Sequence, residues 1–101
     1  MLIVRGVNVF PSALRAVVGE LAPEVTGVIA VRPAARGVKQ SPPLPVAVET
    51  TAEARADLAE RLRARLRERL AVTVAVTLVP MGSLPRSDYK SRLVDWSAAA
   101  L

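Results

Sequence analysis

Histidine and cysteine are both absent from the 101 residues, and lysine occurs only twice, at Lys39 and Lys90. These absences remove disulfides, thiolate nucleophiles, imidazole bases and almost every zinc site. They say nothing about compartment, because a cysteine-free chain is neutral with respect to redox. Aromatic residues are nearly missing too, with one each of Phe, Tyr and Trp. A nucleic-acid surface that stacks bases on interleaved rings is therefore disfavoured, and any core must be built from Val, Leu and Ala. No long hydrophobic run is present. The opening Met1 to Val4 is cut off by Arg5, too short for a signal peptide or a membrane span.

Most catalytic constellations are missing as well. There is no Gly-rich phosphate loop of the Walker or dinucleotide type. No two acids stand where their environments would push their pKa values apart, and Ser83 and Ser87 have no histidine to activate them. What remains is 51% hydrophobic, too apolar for a disordered chain and enough for one modest core in a single domain, residues 1–101. The net charge is +5, with twelve arginines against two lysines. That imbalance reads as a compositional bias toward Arg and Ala more readily than as a nucleic-acid footprint. The expectation is a cytoplasmic protein that engages neither nucleic acid nor membrane.

Two short β-branched runs, Leu2 to Val4 and Val7 to Val9, flank Arg5-Gly6, a spacing that suits a two-residue hairpin turn. Pro11 then stands where a first helical residue would, followed by Leu14, Val17, Val18 and Leu21 on one helical stripe, and Pro23 ends it. Val25 to Val31 reads as a strand with Gly27 as a bulge or close-approach point. Residues 33 to 43 carry three prolines and Gly37 and read as a mobile loop. Leu44 to Glu49 reads as a strand. Thr50 and Glu53 form a capping-box signature, predicting a long helix from there to about Leu70 with Leu58, Leu62, Leu66 and Leu70 on one side.

From Glu53 to Leu70 six arginines stand among four acids, the pattern of a solvated face laced with ion pairs. The alternation from Val72 to Val79 predicts a strand, and Leu93, Val94 and Trp96 would anchor a short helix over about 91–98. The expected fold is α+β: a small, mostly antiparallel sheet with an N-terminal hairpin, two main helices on one face and a short C-terminal helix.

Between the last strand and that helix lies Gly82-Ser83-Leu84-Pro85-Arg86-Ser87-Asp88-Tyr89-Lys90, a polar loop punctuated by Gly and Pro that holds a single ammonium near its end. The stretch Val79-Pro-Met-Gly-Ser-Leu-Pro-Arg-Ser87 resembles the C-terminal motif of phenylacetate–coenzyme A ligases, members of the adenylate-forming superfamily. The first twelve residues, Met1 to Ser12, resemble the segment just after the hinge of the same enzymes. Both lie in the family's order, and the resemblance covers essentially the whole chain.

The resemblance implies a mobile C-terminal domain that partners a large N-terminal adenylation domain, in the same or a separate chain, and has no activity alone. ATP and coenzyme A would be the substrates of the complete ligase, with magnesium accompanying ATP on the larger domain. Lys90 falls on the position of the catalytic lysine for acyl-adenylate formation. Arg5 and Gly6 fall where the family's loop faces the pantetheine tunnel, and Arg86 belongs to the same motif as Lys90 among the substrate- or cofactor-binding positions. Tyr89 replaces the glycine that usually precedes the lysine. A hairpin-turn role for Arg5 and Gly6 is equally compatible with the residues. Without its larger partner the domain is expected to self-associate, as a homodimer through residues 2 to 9. Two other readings fit the element order: a regulatory α+β module that binds a small molecule, and a nucleic-acid binder using the arginine-rich helix.

Overall fold

The computed structural model describes residues 2–34, 37–84 and 94–95. The chain begins with the expected hairpin, β1 (Leu2–Val4) and β2 (Val7–Val9), paired antiparallel with Ile3 opposite Asn8. Its turn takes positive φ at both central positions, 49° at Arg5 and 77° at Gly6. That left-handed geometry matches the twist of a hairpin. It suits Gly6 and is uncommon for a residue with a Cβ such as Arg5.

Helix α1 (Pro11–Gly19) follows with Pro at its first position and buries Leu14, Val17 and Val18. Full burial of one such side chain stabilises by roughly 1.5–3 kcal/mol. The remaining elements are β3 (Val25–Val31), β4 (Lys39–Gln40), β5 (Leu44–Thr50), α2 (Leu58–Leu70) and β6 (Val74–Pro80).

The α+β class, the hairpin and the two main helices are as the sequence predicts. The strands, however, divide into two three-stranded sheets, in the orders β2-β1-β4 and β3-β5-β6. β5 runs antiparallel to β3 but parallel to β6, from Leu44↔Val74 to Thr50↔Pro80. Parallel pairing needs a crossover long enough to return the chain to the same end, and α2 supplies it. Leu58, Leu62 and Leu66 of α2 join Leu14, Val17 and Val18 of α1 over Leu44, Val46 and Val48 of β5 in one core. Among the described residues, no helix is long and apolar enough to cross a membrane.

Two local expectations are corrected. The stretch expected as a mobile loop contains β4, which pairs parallel with β1, and the amide of Ile3 donates to the carbonyl of Val38 at 2.7 Å. Gln40 is buried there, its side-chain amide donating to the Gly37 carbonyl at 2.8 Å. The capping box does not open α2 either. Thr50 belongs to β5, and its hydroxyl donates to the Val79 carbonyl at 3.2 Å. The Thr51 hydroxyl donates to the Pro23 carbonyl at 2.6 Å. Tertiary partners thus occupy both threonines, and the helix begins only at Leu58.

The arginines of α2 do more than face water. Arg65 and Arg69 both reach Glu20, at 3.0 and 2.8 Å, and Arg61 pairs with Glu24. Two acids just beyond the end of α1 thereby hold three successive turns of α2. The hydrogen bond from Arg61, with a second from the Arg55 amide, lowers the Glu24 carboxyl from an ordinary 4.5 to about 2. Glu20 is lowered by the hydrogen bond from Arg65, with Arg69 adding to it. A carboxyl whose folded pKa lies below its unfolded one stabilises the fold above the unfolded value, and that stabilisation disappears as pH falls through the folded value. The wild-type chain should therefore exceed Glu24→Gln in melting temperature at pH 7, and the difference should vanish between pH 4.5 and 2. Thermal melts of the two proteins across that range check it. A difference that persists unchanged at pH 2 would rule out the ion pair as its source.

Candidate functional site

The approach to Lys90 begins where β6 ends. Proline has no amide to offer a neighbouring strand, and Pro80 is the last residue of β6. The chain turns immediately: Ser83 donates its amide to the Pro80 carbonyl at 3.1 Å, and Gly82 takes φ of 86°. Leu84 then drops back onto the sheet and is only 4% exposed, in a small second cluster with Ala30 and Ala47 and against Val28 and Val79. Alternation along β5 puts Ala47 and Glu49 on the face opposite Val46 and Val48, and so opposite the helices. Leu84 thus covers the face of the β3-β5-β6 sheet opposite α1 and α2.

The same face holds a fully buried carboxylate. Glu49 is 0% exposed, and its Oε2 accepts the backbone amide of Leu84 at 3.1 Å. Its Oε1 accepts the Thr26 hydroxyl at 3.1 Å, and that hydroxyl in turn accepts the Val28 amide at 3.2 Å. The β3–β5 register shifts between Val25 and Ile29, where Gly27 takes φ of 92°. The irregularity lies beside Thr26 at the point where its hydroxyl meets Glu49. Burying a carboxylate is costly unless hydrogen bonds satisfy it, and this one receives donors from two separate segments.

On the far side of the lysine segment the chain is tied down again. Val94 forms a parallel bridge with Val31, and the Asp95 amide donates to the Val31 carbonyl at 2.7 Å. The Asp95 carboxylate pairs with Arg32 at 3.5 Å. The described residues on either side of 85–93 thus lie against neighbouring positions of β3, Leu84 by Ala30 and Val94 by Val31. Lys90 and Arg86 fall in that stretch, outside the described residues. Of the helix expected over 91–98, only Val94 and Asp95 are described.

Arg5 and Gly6 form the exposed tip of the hairpin, on the other sheet. A Cβ built on Gly6 would meet nothing within 4 Å, so the turn is open on its outer side. The described residues thus give the two halves of the expected site separate supports: one on the β2-β1-β4 sheet and one on the β3-β5-β6 sheet. Sequence reasoning missed Glu49, Leu84 and Thr26. From the sequence Glu49 reads as an ordinary strand end and Leu84 as part of a polar loop. A lone acid amid Val46, Ala47, Val48 and Thr50, with no solvent-facing alternation around it, was the available signal.

Elsewhere a groove of about 350 Å3 runs along α2, lined by Leu21, Arg61, Ala64, Arg65, Glu68 and Arg69. Its arginines 61, 65 and 69 are already paired with Glu24 and Glu20. Among the described residues there is no group of three or more acidic side chains that could hold a metal ion.

The sequence model of a family described as AMP-binding enzyme C-terminal domain matches residues 6–96. A domain of phenylacetate-coenzyme A ligase from Bacteroides vulgatus ATCC 8482 is similar in structure, with a TM-score of 0.72 and 25% identity over 96% of this chain and 92% of that one. A 2-hydroxyisobutyryl-CoA ligase in the postadenylation state, in complex with R3-HIB-AMP, gives a TM-score of 0.77 at 24% identity, covering 95% of this chain and 21% of that one. A 2-hydroxyisobutyryl-CoA ligase in complex with 2-HIB-AMP and CoA, in the thioesterification state, gives 0.72 at 24% identity, covering 90% and 20%. The chain spans about a fifth of those two ligase chains, and the likeness to them is one of fold. No curated protein matches it.

The docking of Leu84 can be measured directly. Leu84→Ala removes a buried side chain and should cost about 2 kcal/mol in urea unfolding. Ser83→Ala, at an exposed neighbour, should stay within about 0.5 kcal/mol of wild type. Equal, small effects at the two positions would mean that Leu84 is not an anchor.

Proposed function

The chain belongs to the family of AMP-binding enzyme C-terminal domains, and from that membership we propose that it is the mobile domain of a phenylacetate-CoA ligase-like enzyme. Its partner is a large N-terminal adenylation domain, and the complete ligase uses ATP and coenzyme A. The observation that carries this reading is the extent of the likeness. One family match spans residues 6–96, and the same fold recurs in ligases captured with an acyl-AMP and with CoA.

The reaction has two steps. In the first, a carboxylate oxygen attacks the α-phosphorus of ATP, and the bond to the bridging oxygen breaks as pyrophosphate leaves. In the second, the thiol of coenzyme A gives up its proton, sulfur attacks the acyl carbon, and AMP departs. Negative charge crowds onto the oxygens of both reactants in the first step. A compact ammonium on a flexible stem can approach both at once, and it counts most where water is excluded. Lys90 has that role in this reading, with Arg86 contributing charge toward the anionic substrates. For the second step the domain turns, and the open Arg5-Gly6 tip faces the pantetheine arm, where a glycine permits close backbone approach.

Magnesium travels with ATP and is held by the larger domain. The chain by itself has half of a site, so no turnover is expected from it alone. Apart from its partner, exposed Phe10 and Val38 and the outer edge of β2 favour association of two copies through residues 2 to 9.

Lys90→Ala in the assembled ligase should slow acyl-adenylate formation on the order of 10²–10³-fold, the cost of losing one preorganised electrostatic contact. Transfer from a pre-made acyl-adenylate to coenzyme A should stay near the wild-type rate. Lys39, exposed on β4, is the control and should tolerate the same change. Measuring both half-reactions for both variants decides the matter: equal effects on the two steps, or of the two lysines, contradict the assignment.

A further inference from the structure

We propose that Glu49 is a positioning residue for the lysine segment: its buried carboxylate fixes the point from which residues 85–93 depart. The inference rests on the reading of Lys90 given above and assigns a role to a side chain buried in the sheet.

Three observations converge on it. Glu49 is fully buried on the face of the sheet opposite α1 and α2, at a position where alternation with Ala47 would favour a small apolar residue. A carboxylate there costs stability unless it is hydrogen-bonded, so its presence calls for a task that an apolar residue could not perform. Among the contacts it makes is one to the amide of Leu84, which it accepts. β6 has already ended at Pro80, so that amide is beyond the reach of the β5–β6 ladder and depends on a side chain. On the β6 side of β5, the next residue, Thr50, already bonds across to Val79.

The carboxylate is itself aimed. Thr26 donates to its other oxygen from the irregular part of β3, next to Gly27. The chain of contacts therefore runs from the Val28 amide through the Thr26 hydroxyl and the Glu49 carboxylate to the Leu84 amide, joining β3, β5 and the segment after β6. Leu84 is the last residue before the stretch that carries Lys90, six positions upstream of it. Six residues span at most roughly 20 Å. Reacting groups must be held closely to be productive, so the placement of Leu84 bears on that of Lys90. Val94, bridged to Val31, restrains the other end of the segment.

The experiment has two arms. In the 101-residue chain, amide exchange is followed at Leu84 and across β5 and β6 for wild type, Glu49→Ala and Glu49→Gln. Glu49→Ala should raise exchange at Leu84 by about tenfold or more relative to the strand amides, the fold-change for losing the partner of a buried donor. Glu49→Gln, which keeps an acceptor oxygen, should restore most of the protection. If Glu49→Ala does not fold, Thr26→Val takes its place and should also speed exchange selectively at Leu84. Leu84 exchange that follows the strand amides in every variant overturns the proposal.

In the ligase assembled with its adenylation domain, Glu49→Ala should slow acyl-adenylate formation about tenfold or more, the scale of a misplaced catalytic group. It should leave transfer to coenzyme A unchanged, a split that a merely structural loss would not produce. Lys90→Ala is measured alongside. If Lys90→Ala leaves adenylation intact, both readings fall. If Lys90→Ala slows it and Glu49→Ala leaves both steps at wild-type rates, the Glu49 proposal alone is overturned.

Discussion

β5 is hydrogen-bonded along both edges, to β3 on one side and β6 on the other, and covered on both faces. Such a strand has no freedom of register, because a slip by one residue would exchange its two faces. On one face Leu44, Val46 and Val48 meet the helices, and on the other Ala47 and Glu49 meet the return of the chain at Leu84. A one-residue slip would send Glu49 into the leucines of α1 and α2 and leave Leu84 without its acceptor. The register of this one strand therefore places the core and the base of the lysine segment together.

Charge plays a second, separate part. α2 is rich in arginine, yet Arg61, Arg65 and Arg69 point at Glu20 and Glu24 and tie the helix to the end of α1. These are partly exposed pairs, each of modest worth singly, but together they bridge two elements with a polar seam beside an aliphatic core. The basic character of the chain thus serves internal packing along this seam.

Much of this was legible in the sequence, for identifiable reasons. Local signals worked where local physics decides: the Arg5-Gly6 turn, the stripe of α1 behind Pro11, the leucine ladder of α2 and the run of β6 from Val74. They failed where a tertiary partner outbid the local one. Thr50 and Glu53 carried the pattern of a helix start, but β6 claimed Thr50 for the sheet. Residues 39 and 40 looked like loop because their strand character comes from β1, more than thirty residues earlier. The site was legible in the same uneven way. Arg5, Gly6, Arg86 and Lys90 are expected site positions by resemblance alone, whereas the contacts of Glu49, Thr26 and Leu84 show only once three distant segments are brought together.

The central claim is that one small domain presents two different edges in turn, the lysine segment for the adenylate and the hairpin tip for the thiol. Hydrogen–deuterium exchange on the intact ligase reads both edges at once. With a non-hydrolysable acyl-adenylate analogue, peptides covering residues 85–93 should gain protection while those covering residues 4–8 stay open. Adding coenzyme A should reverse the pattern, opening 85–93 and protecting 4–8. Protection that rises on both segments together, or on neither, would contradict the account.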